Sequence, residues 1–155
     1  MPEEGAELAP REEFTDIRVD RDGQWYTRDR LIINKRILAF FKTNLHRDEK
    51  GIYIYSNFRQ FSEKGYIKVG GPILWVTDIM QGNFVLETNA YVPIERCQII
   101  LDDQERPLIF LPALEAWAGL TKNALMQFGE DMKEEDGKFF WQDAELIKTE
   151  DINWG

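Results

Sequence analysis

From Asp16 onward the apolar residues come in short runs, each closed within a few positions by Gly, Pro, Asn or Asp. That rhythm points to strands and turns more than to long helices. Ile17-Arg18-Val19 alternates, Asp22-Gly23 has the chemistry of a hairpin turn, and Gln24-Trp25-Tyr26-Thr27 resumes the extended pattern. Leu31 to Ile33, Ile52 to Tyr55, Tyr66 to Val69, Ile73 to Met80 and Phe84 to Thr88 read the same way, with Gln81-Gly82-Asn83 as a turn. Pro93 marks an edge or a break, and Cys97–Leu101 and Leu108–Leu111 flank the polar turn Asp102-Asp103-Gln104-Glu105.

Two windows have helical spacing instead. Asn34 is an N-cap for a helix over about Lys35 to Leu45, with Ile37, Leu38, Phe40, Phe41 and Leu45 on one face, stopped by His46-Arg47-Asp48-Glu49-Lys50-Gly51. Pro112 and Ala113 open a second helical region in which Leu114, Trp117 and Ala118 share a face. After Gly119, Thr121 caps a further segment whose buried side is Ala124, Leu125, Phe128 and Met132. Phe139-Phe140-Trp141 and Glu145-Leu146-Ile147 close the chain as extended runs. The expected fold class is α+β: mainly antiparallel strands with helices packed on them. The order capped helix, charged cluster, glycine, aromatic strand occurs after Asn34 and again after Thr121, a weak sign of internal repetition. The expected organisation is a flexible tail over 1–15, an N-terminal half over 16–71 and a C-terminal half over 72–155, divided near Gly70-Gly71-Pro72.

A chain of 155 residues with 43% hydrophobic and 30% charged residues can build a core without disulfides or metal. A net charge of −9 argues against a nucleic-acid polymer or an anionic membrane as partner. No apolar run reaches the ~20 residues of a membrane span. The acidic start, Pro2-Glu3-Glu4-Gly5-Ala6-Glu7, is unlike a secretion signal, so the expected location is the cytoplasm.

Catalytic candidates are few. His46 is the only histidine and Cys97 the only cysteine, which leaves no His-rich or multi-Cys metal site; no metal and no cofactor are expected. His46 reads as a capping or solvated residue at a helix end, and Cys97 as a small buried hydrophobe. Asp102, Asp103 and Glu105 read as a solvated loop, and Gly70-Gly71-Pro72, followed by a strand rather than a helix, as a turn.

Local charge is more informative. Arg28 to Lys50 holds seven basic residues against three acidic ones, formally +4, so the remainder carries −13. Lys35 and Arg36 fall in a first helical turn, where the dipole disfavours cations unless an anion compensates. Tyr53 and Tyr55 put phenols on one strand face, and Trp25, Tyr26 and Trp75 add planar surface; core packing is the simpler role for such rings.

Several of these stretches resemble a bacterial family known as domain of unknown function number twelve-eighty-five. They are Ile17-Arg18-Val19, Asp22-Gly23-Gln24-Trp25, the helix after Arg30-Leu31-Ile32, Asp48 to Tyr53, Val69 with Pro72, Thr88-Asn89, Arg106-Pro107-Leu108 and Leu114-Glu115-Ala116. The resemblance runs from about Ile17 to Phe128. It implies two related halves, the second pleckstrin-homology-like, and a cleft between them for a ligand, with a role in signalling. The chain departs from the family pattern at Val69-Gly70-Gly71-Pro72, Ala90-Tyr91 and Leu111-Pro112-Ala113, where charged residues are missing. The resemblance therefore carries over a fold and no site residues.

The function expected from these observations is a non-enzymatic module binding a small anionic, nucleotide-like ligand, with Arg30, Lys35 and Arg36 for the anion and Tyr53 for stacking. The alternative is a protein-interaction adaptor using an exposed aromatic strand or an acidic surface, with an enzyme using carboxylates across the cleft as the third reading, and a protein partner or a homodimer stays open.

Overall fold

The computed structural model describes residues 9–58 and 61–155. Residues 1–8 of the expected tail lie outside the described residues; by Arg11 the chain is already a strand. The first sheet contains β1 (Arg11–Val19), β2 (Trp25–Thr27), β3 (Arg30–Leu31), β4 (Leu45–Asp48), β5 (Gly51–Phe58) and β6 (Phe61–Val69), in the order β3-β2-β1-β6-β5-β4. Helix α1 (Lys35–Thr43) connects β3 to β4. β1 and β6 run parallel, and the other neighbours are antiparallel.

A meander of β7 (Leu74–Met80), β8 (Asn83–Leu86) and β9 (Tyr91–Pro93) follows. Gln81 and Gly82 turn it with φ of 51° and 75°, the primed hairpin geometry that fits sheet twist. Then come β10 (Ile99–Leu101), β11 (Pro107–Leu111), β12 (Ala116–Leu120), α2 (Lys122–Glu130), β13 (Met132–Glu135), β14 (Lys138–Trp141) and β15 (Ala144–Lys148). The second sheet reads β13-β14-β15-β10-β11-β12-β7-β8-β9. Strands β10 to β15 pair as β1 to β6 do, including the parallel pair β10·β15, and the helix again sits between third and fourth strands. What the second unit adds is β7, parallel on the outer side of β12, with β8 and β9 beyond it.

The expected α+β class is therefore corrected. Among the described residues the protein is mostly β, 51% strand and 15% helical, in two mixed sheets with two α-helices. Two stretches account for the difference. Leu111 to Ala116 is a hairpin turn, with Glu115 at φ 49°, and Ala116 to Leu120 is a strand buried along its whole length. A strand buried on both faces is continuously apolar, and over a few residues that pattern cannot be told from a buried helix. The first helix, in turn, stops at Thr43: Asn44 N–H bonds the Phe40 carbonyl at 3.2 Å, and Tyr55 N–H bonds the Asn44 carbonyl at 2.9 Å. That second bond delivers Leu45 to Asp48 into the sheet, so His46 lies on a strand rather than at a helix end.

Both caps are where the sequence puts them. Asn34 Oδ1 accepts from Arg36 N at 3.0 Å and Ile37 N at 3.1 Å, and Thr121 Oγ1 accepts from Ala124 N at 3.4 Å. One core joins the sheets: Val19, Trp25, Ile52 and Ile54 from the first pack with Ile73, Val76, Phe84, Ile109, Phe128 and Trp141 from the second. Phe128 lies flat on Trp141, ring centres 4.4 Å apart, and its carbonyl accepts from Trp141 Nε1 at 2.9 Å. Trp117 is buried, as its apolar context requires, whereas Phe41 is only half-buried against Trp25.

Candidate functional site

Two turns meet where the sheets adjoin, and each is built around an aspartate. Between β1 and β2, Asp20 Oδ1 accepts from the backbone N–H of Asp22 at 3.0 Å and of Gln24 at 2.9 Å. Between β10 and β11, Asp102 Oδ1 accepts from Gln104 N at 2.8 Å and Arg106 N at 2.9 Å. Such side-chain turns satisfy backbone donors that the sheet ladder cannot reach. The turns then face each other, and Arg21 Nη2 donates to both oxygens of Asp103, at 2.9 and 2.8 Å. This contact holds the Asp103 carboxyl below the usual carboxylate range and raises the Arg21 guanidinium. Asp102 is 5% exposed, and its second oxygen accepts from Arg106 Nε at 2.8 Å.

Behind these turns opens a cleft of about 610 Å³. Trp75 lines it, and two glycines position that ring. A Cβ on Gly23 (φ 77°) would stand 2.6 Å from the Trp75 ring, and one on Gly119 would stand 2.5 Å from it. The indole thus lies where only glycine leaves room. Its backbone N–H donates to Glu87 Oε2 at 2.8 Å, and Lys42 Nζ holds the other Glu87 oxygen at 2.8 Å, linking α1 to the second sheet. The segment Glu150–Trp154 also lines the cleft. Trp117 Nε1 donates to the Asn153 carbonyl at 3.0 Å, and Ile152 and Trp154 pack on the cluster of Ile100, Leu108 and Trp117.

Chemically, the cleft offers indole surface and carboxylates. No His, Cys, Ser, Thr or Lys lines it; its five carboxylates, Asp22, Asp102, Asp103, Glu150 and Asp151, face two arginines, both of them paired. A general acid needs a carboxyl raised toward neutrality, and Asp103 moves the other way. Among the described residues no three His, Cys, Asp or Glu side chains converge as a metal requires.

The site residues expected from sequence are not gathered here. Arg30 lines an open groove of about 720 Å³ with Phe14, Asp16, Arg28 and Asp29. Lys35 borders a smaller hollow of about 230 Å³ with Lys42 and Glu87, and Arg36 is exposed. Tyr53 sits on the other side of the first sheet. Leu38 and Phe41 of α1 pack in the core with Ile52 and Ile54, and strand alternation sends Tyr53 to the opposite face. There it stacks on His46 at 5.7 Å, meets Tyr66 edge-on at 5.5 Å and carries Lys64 4.9 Å above its ring. The Tyr66 hydroxyl donates to Asp48 Oδ2 at 2.6 Å. That bond, joined by those from Lys64 and the Lys50 N–H, lowers the Asp48 carboxyl to about 2. Cys97 donates to the Pro93 carbonyl, and burial raises its thiol to about 11, far from a reactive thiolate. Gly70-Gly71-Pro72 is the expected turn, with a physical reason: a Cβ on Gly71 would stand 1.9 Å from the Asp20 carbonyl oxygen.

Sequence reasoning reached Trp75 as a planar surface but missed Arg21, Arg106 and Trp154. A signal was present in the hairpin turns Asp20–Gln24 and Asp102–Arg106, each opening on an aspartate that follows an apolar run.

No family model matches the chain, and no curated protein matches it by sequence. Two solved structures share its fold. A DUF1285 family protein from Silicibacter pomeroyi superposes with a TM-score of 0.59 at 20% identity, covering 90% of this chain and 82% of that one. A DUF1285 family protein from Shewanella baltica gives 0.54 at 15% identity, over 75% of this chain and 91% of that one. The resemblance seen in the sequence is thus supported, and at these identities what is shared is the fold.

Proposed function

We propose that this chain is a non-enzymatic binding module that holds a small planar ligand in the cleft between its sheets. The observation that carries the reading is the placement of Trp75, seated by two glycines and lining, with Trp154, a cavity of the size small-molecule sites have. Among the described residues that line the cleft there is no His, Cys, Ser, Thr or Lys, and its Asp103 carboxylate is engaged by Arg21, which supports binding as the simpler use of the cleft. The surplus of carboxylates alters the expected ligand: inside this cleft a neutral or cationic ring system is favoured over an anion. A ligand bridging the turns at Arg21 and Asp103 would couple the sheets, which is what a signalling role needs.

A nucleoside and its monophosphate separate the possibilities. Adenosine should raise the melting temperature with concentration and quench tryptophan fluorescence, and adenosine monophosphate should do less. Trp154→Ala should remove the response. If the monophosphate is the better ligand, and the double variant Lys35→Ala, Arg36→Ala abolishes its effect, the ligand is anionic and sits at the start of α1. A broad screen of planar amines and nucleosides without a shift would end the cleft reading.

A further inference from the structure

The two helices stand at the same place in their units, and they differ in what lies beside them. Each runs nine residues from its cap, so Arg36, Ile37 and Phe40 of α1 hold the positions of Asn123, Ala124 and Gln127 in α2. In the second unit these three positions face β7. Asn123 Nδ2 donates to the Thr77 carbonyl at 3.0 Å. Gln127 accepts from Ile79 N at 2.9 Å and donates to Asp78 Oδ1 at 2.7 Å. Ala124 is wholly buried.

In the first unit, β3 stands in the place of β12, and among the described residues no strand lies beyond it. The corresponding α1 positions are bare: Ile37 is 44% and Phe40 48% exposed. Leu31 and Ile33, on the strand and in the link to the helix, are exposed beside them, Ile33 at 79%. A helix beside an unpaired strand edge is the arrangement the second unit would have with β7 removed, except that Ile37 and Phe40 stand where α2 has Ala124 and Gln127.

We propose that β3 and the Arg36–Ile37–Phe40 face of α1 form an acceptor site for an extended segment of a partner protein. The segment adds to β3 as β7 adds to β12, in parallel. Main-chain bonds come from the strand edge, and alternate apolar side chains fill the space under Ile37 and Phe40. Charge specifies the rest of the segment. Arg30 stands on β3 itself and Arg36 on the same helix face as Ile37 and Phe40, and among the described residues neither makes an ion pair within 4 Å. The outward positions of the incoming strand are therefore acidic. A second copy is a poor occupant through the same edge, because it would set Arg30 against Arg30.

The test uses the full chain and a short fluorescein-labelled peptide alternating valine with glutamate. The peptide should bind, and its amide shift changes in heteronuclear NMR spectra should centre on residues 30–40. Phe40→Asp should weaken binding by about tenfold or more while leaving the melting temperature in place, and Arg30→Glu should weaken it as well. Met126→Asp, on the outer face of α2, should change nothing. Replacing glutamate by lysine, or methylating alternate peptide nitrogens, should abolish binding. Equal binding of the lysine peptide would mean mere apolar adhesion. Indifference to Phe40→Asp, or a parent that self-associates and is made monomeric by that change, would overturn the proposal.

Discussion

Helices α1 and α2 have the same length, the same kind of cap and the same place between third and fourth strands, yet only α2 contributes fully buried side chains to the core. α2 buries Ala124 and Phe128 completely, because β7 gives it a second strand to lie on and Trp141 a ring to stack against. α1 buries no residue fully; it is held by the half-buried Leu38 and Phe41, by the Phe41–Trp25 contact and by the Lys42–Glu87 ion pair. The stability of a short helix in a protein comes from the surface it covers. Here the neighbouring strand, not the helix sequence, sets how much that is.

The comparison can be broken by mutation. We expect Phe128→Ala to cost about 3–5 kcal/mol in urea unfolding, the range for a fully buried aromatic, and Phe41→Ala only about 1–2 kcal/mol. Equal losses would mean that both helices are equally part of the core. Gly71→Ala tests the join between the units, where an added Cβ has no room beside Asp20; a loss of about 1–3 kcal/mol is expected, as for an overpacked site, and a neutral result would mean that the turn can move.

Acid unfolding sharpens the contrast from the first sheet. The Asp48 carboxyl is depressed, so its contribution is fully present above its unfolded value of about 4 and is lost as pH falls through about 2. Asp48→Asn should reduce the stability change in that window, leaving the share due to Asp103, and keep the neutral-pH side of the curve parallel to the parent. A parent curve that is already flat between these values would show that Tyr66 does not hold Asp48 in this way. The smallest effect is expected at Phe40→Ser, which should shift unfolding by less than about 0.5 kcal/mol, since its ring has no partner strand. A larger loss would place Phe40 in the core and remove the basis of the acceptor site.

Much of the local structure was readable from the chain. Asn34 and Thr121 mark helix starts because their side chains satisfy backbone donors at i+2 and i+3, a purely local matter. Gln81-Gly82 marks a hairpin through its backbone conformation, and the alternation of Ile52-Tyr53-Ile54-Tyr55 marks a strand and its two faces. Ala116 to Leu120 was not readable, because burial on both sides erases the period that separates strand from helix. The cleft was readable only in fragments. Trp75, Gly23 and Gly119 are far apart in sequence, and nothing local says that one ring rests on both glycines.

Local chemistry alone marked the starts of α1 and α2, the turns at Asp22-Gly23 and Gln81-Gly82 and the two faces of the alternating strands, since caps, turn conformations and alternation act over a few residues; the turn from Leu111 to Ala116 was not marked in this way. The tertiary structure alone decided that the sheets are mixed, that β7 supports α2 while α1 goes without a counterpart, and that Arg21 meets Asp103 at the mouth of a cleft. Those features depend on pairings between strands distant along the chain, and such pairings are selected by the packing of the whole core rather than by any segment that enters it.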